Sequence, residues 1–214
     1  LWGAAASGPQ TEGVTNKRHR SIWDSWFAEQ PERFYQQVGP QTVCDTYHQY
    51  PQDVALMKQT GFNSFRTSIQ WSRLIADLET GAPDPDPDAV RFYHAYLDEM
   101  IANGIEPMIN LYHFDMPEAL QKQYGGFESA HVAELFARFA RTAFSLFGHK
   151  VKYWITFNEP IVPVEGGYLY DFHYPCKKDG RLAAQVAFNK LRQFSLAPVS
   201  YTHLRAHETS QDLV

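Results

Sequence analysis

The chain has 214 residues, is 44% hydrophobic and 20% charged, and carries a formal charge of −5, the composition of an ordinary globular protein. The acidic balance and the lack of a basic stripe exclude nucleic acid as the expected partner. No apolar run reaches membrane-spanning length and none reads as a signal peptide, so the expectation is a cytoplasmic protein with no membrane partner. Only Cys44 and Cys176 are present, without metal-type spacing and too few for a disulfide framework. Aromatic residues reach 15%, enough for a large core or for walls that grip flat, weakly polar faces such as sugar rings.

In chain order, Leu1 to Ala6 reads as a first strand. Ser7-Gly8-Pro9-Gln10-Thr11-Glu12-Gly13 follows it as a polar loop. Lys17-Arg18-His19-Arg20 is too short for a charged patch and reads as a solvated loop. A first helix is expected from Pro51 through Val54 and Met57 to Gly61, and a strand from Phe62 to Ser68. Pro83-Asp84-Pro85-Asp86-Pro87-Asp88 is a stiff acidic linker without assigned function. Asp86 can cap the second helix and Pro87 suits its first turn. Val90, Tyr93, Leu97 and Met100 then recur at helical spacing until Gly104. Ile105 to Tyr112 is the third strand. The third helix starts near Ser129, with Val132, Leu135, Phe139, Ala143 and Leu146 on one face up to Gly148. Val151 to Phe157 is the fourth strand, and a fourth helix starts near Asp179 with Leu182 and Val186 inward.

Strands alternating with helices that close on glycine predict a parallel sheet, either a doubly wound sheet or a (β/α)8 barrel. No Gly-rich phosphate loop follows the first strand, and distinctive polar groups follow every strand. Both points favour the barrel, whose sites lie at that end. The expected class is therefore α/β, a (β/α)8 TIM barrel truncated to about its first four β/α units, over residues 1–197. Residues 198–214 lose all periodicity and read as an unstructured tail resembling a cloning or sequencing scar.

Glu159, within Asn158-Glu159-Pro160 at the exit of the fourth strand, is the leading candidate for chemistry. An apolar strand is expected to bury it and raise its pKa, which suits a general acid; a structural salt bridge is the alternative. Asn158 can donate to a substrate hydroxyl or close a turn. His113 can bond a hydroxyl, act as a base or ligate a metal, or can be a core histidine, and no second ligand lies at metal spacing. Arg66 requires an acidic partner and can hold a catalytic carboxylate or form a plain ion pair. Gln10 can bridge two neighbouring hydroxyls or lie at the surface.

These segments together resemble glycoside hydrolase family 1, the retaining β-glycosidases. The resemblance rests on Gln10-Thr11-Glu12-Gly13, Phe65-Arg66-Thr67-Ser68-Ile69-Gln70-Trp71-Ser72-Arg73, His113-Phe114-Asp115-Met116-Pro117 and Thr156-Phe157-Asn158-Glu159-Pro160. It covers the first half of such an enzyme, up to about residue 197. The resemblance implies Glu159 as acid/base, Asn158 at the 2-hydroxyl, Gln10 and His113 on other sugar hydroxyls, Arg66 steadying the nucleophile, and no metal or organic cofactor. Gly8-Pro9-Gln10, Val38-Gly39-Pro40 and Phe172-His173-Tyr174-Pro175 resemble the 6-phospho-β-glucosidases more closely, which implies a β-glucoside or phosphorylated disaccharide as substrate. An unphosphorylated β-glucosidase or β-galactosidase, a non-catalytic sugar-binding barrel, and an unrelated barrel enzyme with His113 as base are the alternatives.

A retaining glycosidase needs two carboxyls ~5 Å apart. The family's nucleophile comes from a later Thr-Glu-Asn-Gly type motif, which this sequence lacks. The expectation is an inactive chain from an active parent. Four strands also leave two sheet edges and an inner face open, which predicts poor solubility or pairing of two halves.

Overall fold

The structure is a computed structural model that describes residues 1–86 and 88–211, the last fourteen of these through the backbone alone. Four strands, β1 (Gly3–Ala5), β2 (Ser64–Ser68), β3 (Glu106–Tyr112) and β4 (Tyr153–Phe157), form one parallel sheet in chain order. The register places Ala5 beside Arg66, Arg66 beside Met108 and Met108 beside Tyr153. This row is exposed or half-buried throughout. The next row, Thr67, Ile109 and Trp154, is buried or half-buried. One sheet face is therefore covered and the other is open, as in a (β/α)8 barrel represented by its first four units.

The covering layer comprises α2 (Thr46–Gln59), α3 (Asp88–Ala102), α4 (Ala130–Phe147) and α5 (Gly180–Gln211). A further helix, α1 (Ile22–Glu29), lies in the long segment after β1, where Ser21 and Asp24 form a reciprocal capping box. Ser129 caps α4 by accepting from the His131 amide, and Asp179 Oδ1 accepts from the first amides of α5. The apolar stripe of α4 is fully buried from Val132 to Phe147, and Phe139 stacks on Trp71 at 5.5 Å. Helix α3 turns Phe92, Tyr93, Leu97 and Met100 inward.

Several expectations are corrected. Helix α2 starts at Thr46 and runs through Pro51, which forfeits one intrahelical bond without ending the helix. The basic cluster is solvated only in part: Arg18 and Arg20 are exposed, while Lys17 forms an ion pair of 2.7 Å with Asp24, with both side chains more than nine-tenths buried, and His19 Nε2 lies 3.0 Å from the Ala76 carbonyl. Strand β4 is an edge strand, as four open strands require, and Tyr153 is 45% exposed because β3 flanks the strand on one side only. Pro87 lies outside the described residues, so its place in the first turn of α3 is not part of this description. The tract from Pro198, expected to be unstructured, is helical in its backbone through Gln211. It contains no glycine, and Leu204, Arg205 and Ala206 are good helix formers. Residues 212–214 lie outside the described residues.

Helix α5 also buries a misfit. Lys190 is 3% exposed, its Nζ has no hydrogen-bond partner, and it lies 4.4–4.9 Å from the Tyr112, Phe127 and Phe157 rings. Burial pushes its ammonium down to about 7. Cation–π attraction offsets only part of that desolvation. Lys190→Met keeps the volume and removes the charge, and is expected to stabilise the fold by about 1–4 kcal/mol at pH 6, read from urea unfolding. The gain should shrink as pH rises above 7, because the folded state sheds this proton before the unfolded state does.

Candidate active site

The loops after the four strands converge at one end of the sheet. After β1, Gly8 donates its N–H to Ser68 Oγ at 2.8 Å, and a short helix, Gly8–Thr11, carries Gln10. A Cβ on Gly8 would meet the Gln70 side chain at 2.5 Å, so only glycine permits this approach. Beneath it lies a buried ionic network. Glu12 Oε2 accepts from Arg73 Nε at 2.8 Å and from Gln70 Nε2 at 2.7 Å, and the Tyr93 hydroxyl donates to the same carboxylate. Arg73 also donates to the Thr15 and Gly13 carbonyls. Burial pulls its guanidinium down, but Glu12 together with Tyr93 and Tyr47 more than offsets this, and the net shift is upward. Glu12 is thus a structural anchor for the Gln10 turn and contributes no exposed chemistry.

After β3, the chain turns sharply through Phe114 at φ 66°. Asp115 fixes the turn by accepting from the Trp71 amide at 2.6 Å and the His113 amide at 3.3 Å. His113 is 8% exposed, and burial first, then the charge of Arg66, pushes its imidazole down to about 4. The ring is neutral at physiological pH and suits a hydrogen-bonding role better than that of a base.

Asn110, fully buried in β3, links the strands. With its amide oriented to satisfy both ends, Oδ1 accepts from Arg66 Nη2 at 2.6 Å and from His113 Nδ1 at 3.2 Å, while Nδ2 donates to the Ile155 carbonyl at 3.3 Å. The reverse orientation would aim an amide N–H2 at a guanidinium. The ring proton then sits on Nδ1 and Nε2 is left as an acceptor. Arg66 Nη2 also donates to Asn158 Oδ1 at 2.8 Å. Burial pulls the Arg66 guanidinium down, and the nearby Glu159 carboxylate opposes that shift. Arg66, Asn110, His113 and Asn158 therefore form one hydrogen-bonded chain, and the charge of Glu159 is felt at its cationic member.

Glu159 sits at φ 40°, a left-handed conformation costly for a glutamate. The expectation that an apolar strand would bury it is corrected: Glu159 is exposed, because β4 lies at the sheet edge and no fifth strand walls the site among the described residues. Gln10 and His113 meet in a pocket of about 400 Å3, together with Trp23, Phe34, Val43 and Phe114. Asn158 and Glu159 do not line that pocket. Sequence reasoning missed Asn110 and the positioning roles of Asp115 and Arg73; the one available signal was a lone amide between Ile109 and Leu111 in an apolar strand. Among the described residues, no group of three His, Cys, Asp or Glu side chains could hold a metal ion, and no helix is long and apolar enough to cross a membrane.

The model of Glycosyl hydrolase family 1 matches residues 1–210. The chain belongs to glycosyl hydrolase family 1. It is 48% identical over 206 residues to the 6-phospho-beta-glucosidase GmuD of Bacillus subtilis (strain 168), covering 95% of this chain and 43% of that protein. It is 44% identical over 172 residues to Beta-glucosidase 28 of Arabidopsis thaliana, covering 78% of this chain and 29% of that one. The beta-glucosidase from Thermotoga maritima in complex with azafagomine superposes with a TM-score of 0.87 at 32% identity, over 95% of this chain and 46% of that chain. The family 1 chain thus spans less than half the length of these relatives. Its four strands are one part of a (β/α)8 barrel.

Three buried groups make the stability of this family 1 chain depend on pH. His173, packed edge-on against Trp23 and Phe114, is pushed down to about 4 by burial, as His113 is. Between pH 4 and the ordinary 6.5 the unfolded state holds more protons at both rings, so their stabilisation is lost as pH falls through that window. Asp115 has the opposite sign: burial raises it from 3.8 to about 6, so the folded state holds the extra proton there and gains as pH falls from 6. Two histidines outweigh one aspartate, and the urea midpoint is expected to rise from pH 4.5 to 6.5. In His173→Phe that rise should be smaller; an unchanged slope would count against the buried neutral ring.

Proposed function

We propose that the complete barrel containing this chain hydrolyses β-glucosides by double displacement, with 6-phospho-β-glucosides as its preferred substrates. Glu159 gives a proton to the departing oxygen and then takes one from water. Asn158 binds the 2-hydroxyl, Gln10 and His113 hold further hydroxyls, and Arg66 steadies the attacking carboxylate. The observation that carries this reading is the hydrogen-bonded chain from Asn158 through Arg66 and Asn110 to His113, with Gln10 and His113 lining one pocket.

The arrangement makes chemical sense in the terms of acid/base exchange. A charged nucleophile opposite Glu159 keeps the acid protonated; once glycosylated it loses its charge, and the same carboxyl can act as base. Arg66 is already held by two amide oxygens, so it can face a third, anionic partner without rearranging. The neutral His113 offers Nε2 as acceptor to a hydroxyl. No metal or cofactor enters this scheme, the reaction belongs to the cytoplasm, and residues 198–214 take no part in it.

On its own the 214-residue chain is proposed to be inactive, because its sequence lacks the attacking carboxylate of a Thr-Glu-Asn-Gly type motif. The phosphate preference is supported by the likeness to GmuD. Turnover by the complete barrel tests it: 4-nitrophenyl β-glucoside 6-phosphate is expected to be cleaved at least tenfold faster than 4-nitrophenyl β-glucoside at equal low concentration. The reverse order would sink the preference while leaving the glycosidase assignment in place.

A further inference from the structure

The segment Phe172-His173-Tyr174-Pro175, after β4, takes no part in the hydrogen-bonded chain of the site, yet it packs behind the wall of the pocket. His173 is 2% exposed and is not among the residues that line the pocket. Its ring stands nearly perpendicular to Trp23, at 5.3 Å and 76°, and to Phe114, at 5.2 Å and 79°. Both of those rings line the pocket shared by Gln10 and His113. Edge-to-face aromatic pairs in this distance range add to what burial alone contributes.

The imidazole is fixed by its own segment. Nδ1 lies 2.6 Å from the Tyr174 carbonyl, which can only accept, so Nδ1 carries the ring proton. The His173 amide donates to the Gly166 carbonyl at 3.2 Å, and a Cβ on Gly166 would come within 2.8 Å of His173 Cβ, so glycine is what permits the approach. Nε2 is buried without a hydrogen-bond partner among the described residues, a cost that the ring contacts and the Tyr174 bond have to offset. The two rings it touches are held less firmly. Phe114 sits in the left-handed region at φ 66°, a conformation that persists only where its surroundings enforce it. Trp23 is half-buried in the first turn of α1. One imidazole thus joins the segments that follow β1, β3 and β4 at a single point.

We propose that His173 is a positioning residue of the sugar pocket, its imidazole bracing Trp23 and Phe114 so that the pocket keeps its shape around the hydroxyls held by Gln10 and His113. The inference rests on the glycosidase reading of that pocket. Phe114 also stands 5.3 Å from the His113 ring, so a slack Phe114 loosens an apolar wall and the neighbour of a hydroxyl-binding group together. Asn158 and Glu159 do not line this pocket. The braced wall therefore meets the sugar alike in the ground state and in the transition state. Losing such uniform binding raises KM and leaves kcat in place.

Steady-state kinetics of the complete barrel containing this chain test the inference, with whichever of the two 4-nitrophenyl substrates it cleaves faster. His173→Ala is expected to raise KM about tenfold, the scale of two lost aromatic pairs, with kcat held within about twofold. His173→Phe keeps a ring against both walls and loses the bond to Tyr174, so its KM is expected to stay within about threefold of the unsubstituted enzyme. In a Trp23→Leu background His173→Ala should raise KM by a smaller factor than it does alone, because the two residues act as one unit. A histidine with a merely structural role would instead lower the folded fraction, which reduces the measured kcat and leaves KM unchanged. That result, an unchanged KM and kcat, or factors on KM that simply multiply in the double variant would each overturn the role of His173 while the glycosidase reading stands. No cleavage of either substrate by the unsubstituted barrel would overturn both.

Discussion

Arg73→Met is expected to destabilise the chain by about 3–5 kcal/mol, the cost of stranding a buried charge. Arg73 and Glu12 are 0% and 1% exposed in their side chains and 2.8 Å apart. Without the guanidinium, Glu12 keeps the Gln70 and Tyr93 donors but loses its counter-charge, and the Thr15 and Gly13 carbonyls lose their partner. Glu12→Gln in the same chain should recover part of that loss, because a neutral amide costs less to bury than an unpaired carboxylate. Urea unfolding of the two single variants and the double variant gives the coupling. Additive losses would show that the pair is not the anchor of the Gln10 turn.

What was legible in the sequence follows from this network. The helices were read from periodicity, since Val132, Leu135 and Phe139 on α4 and Tyr93, Leu97 and Met100 on α3 recur at the helical repeat and are all buried. The parallel sheet followed from the alternation of those helices with apolar runs. Glu12 and Arg73 were visible as residues, but nothing in their separation says that they meet; that pairing depends on the β1–β2 register and the Gly8 contact with Ser68. Asn110 was hidden for a related reason, because a single amide in an apolar strand carries no periodic signal. Burial of Glu159 was misjudged because the composition of β4 reports what a strand can bury against and not whether a neighbour is present. The first helix was expected from Pro51, whereas α2 starts at Thr46 and carries that proline in its interior. Gln10, Arg66, His113, Asn158 and Glu159 were each named from the sequence, but the hydrogen-bonded chain joining four of the site groups needed Asn110 in place.

Glu159→Gln in the complete barrel is expected to lower kcat/KM for a β-glucoside with a poor alkyl leaving group about 10^3-fold, the usual worth of a positioned general acid. Glutamine keeps the size of the side chain and has no proton of the required acidity. The loss should therefore depend on the leaving group. A dinitrophenolate departs with little help, so the first chemical step on a dinitrophenyl glucoside should slow far less than on an alkyl glucoside. Deglycosylation also loses its base, so the glycosyl–enzyme should accumulate and appear as a burst of dinitrophenol followed by slow turnover. Binding should survive, because Asn158 and Arg66 remain paired through groups that do not include the Glu159 side chain. Equal losses for both leaving groups would make Glu159 a binding residue, and unchanged turnover would remove it from the chemistry altogether. The exposure of Glu159 beside an open sheet edge sharpens the comparison: the carboxyl can be tuned as an acid only where a facing wall supplies a second negative charge and excludes water. The same leaving-group contrast should thus be absent from the 214-residue chain and present in the closed eight-stranded enzyme.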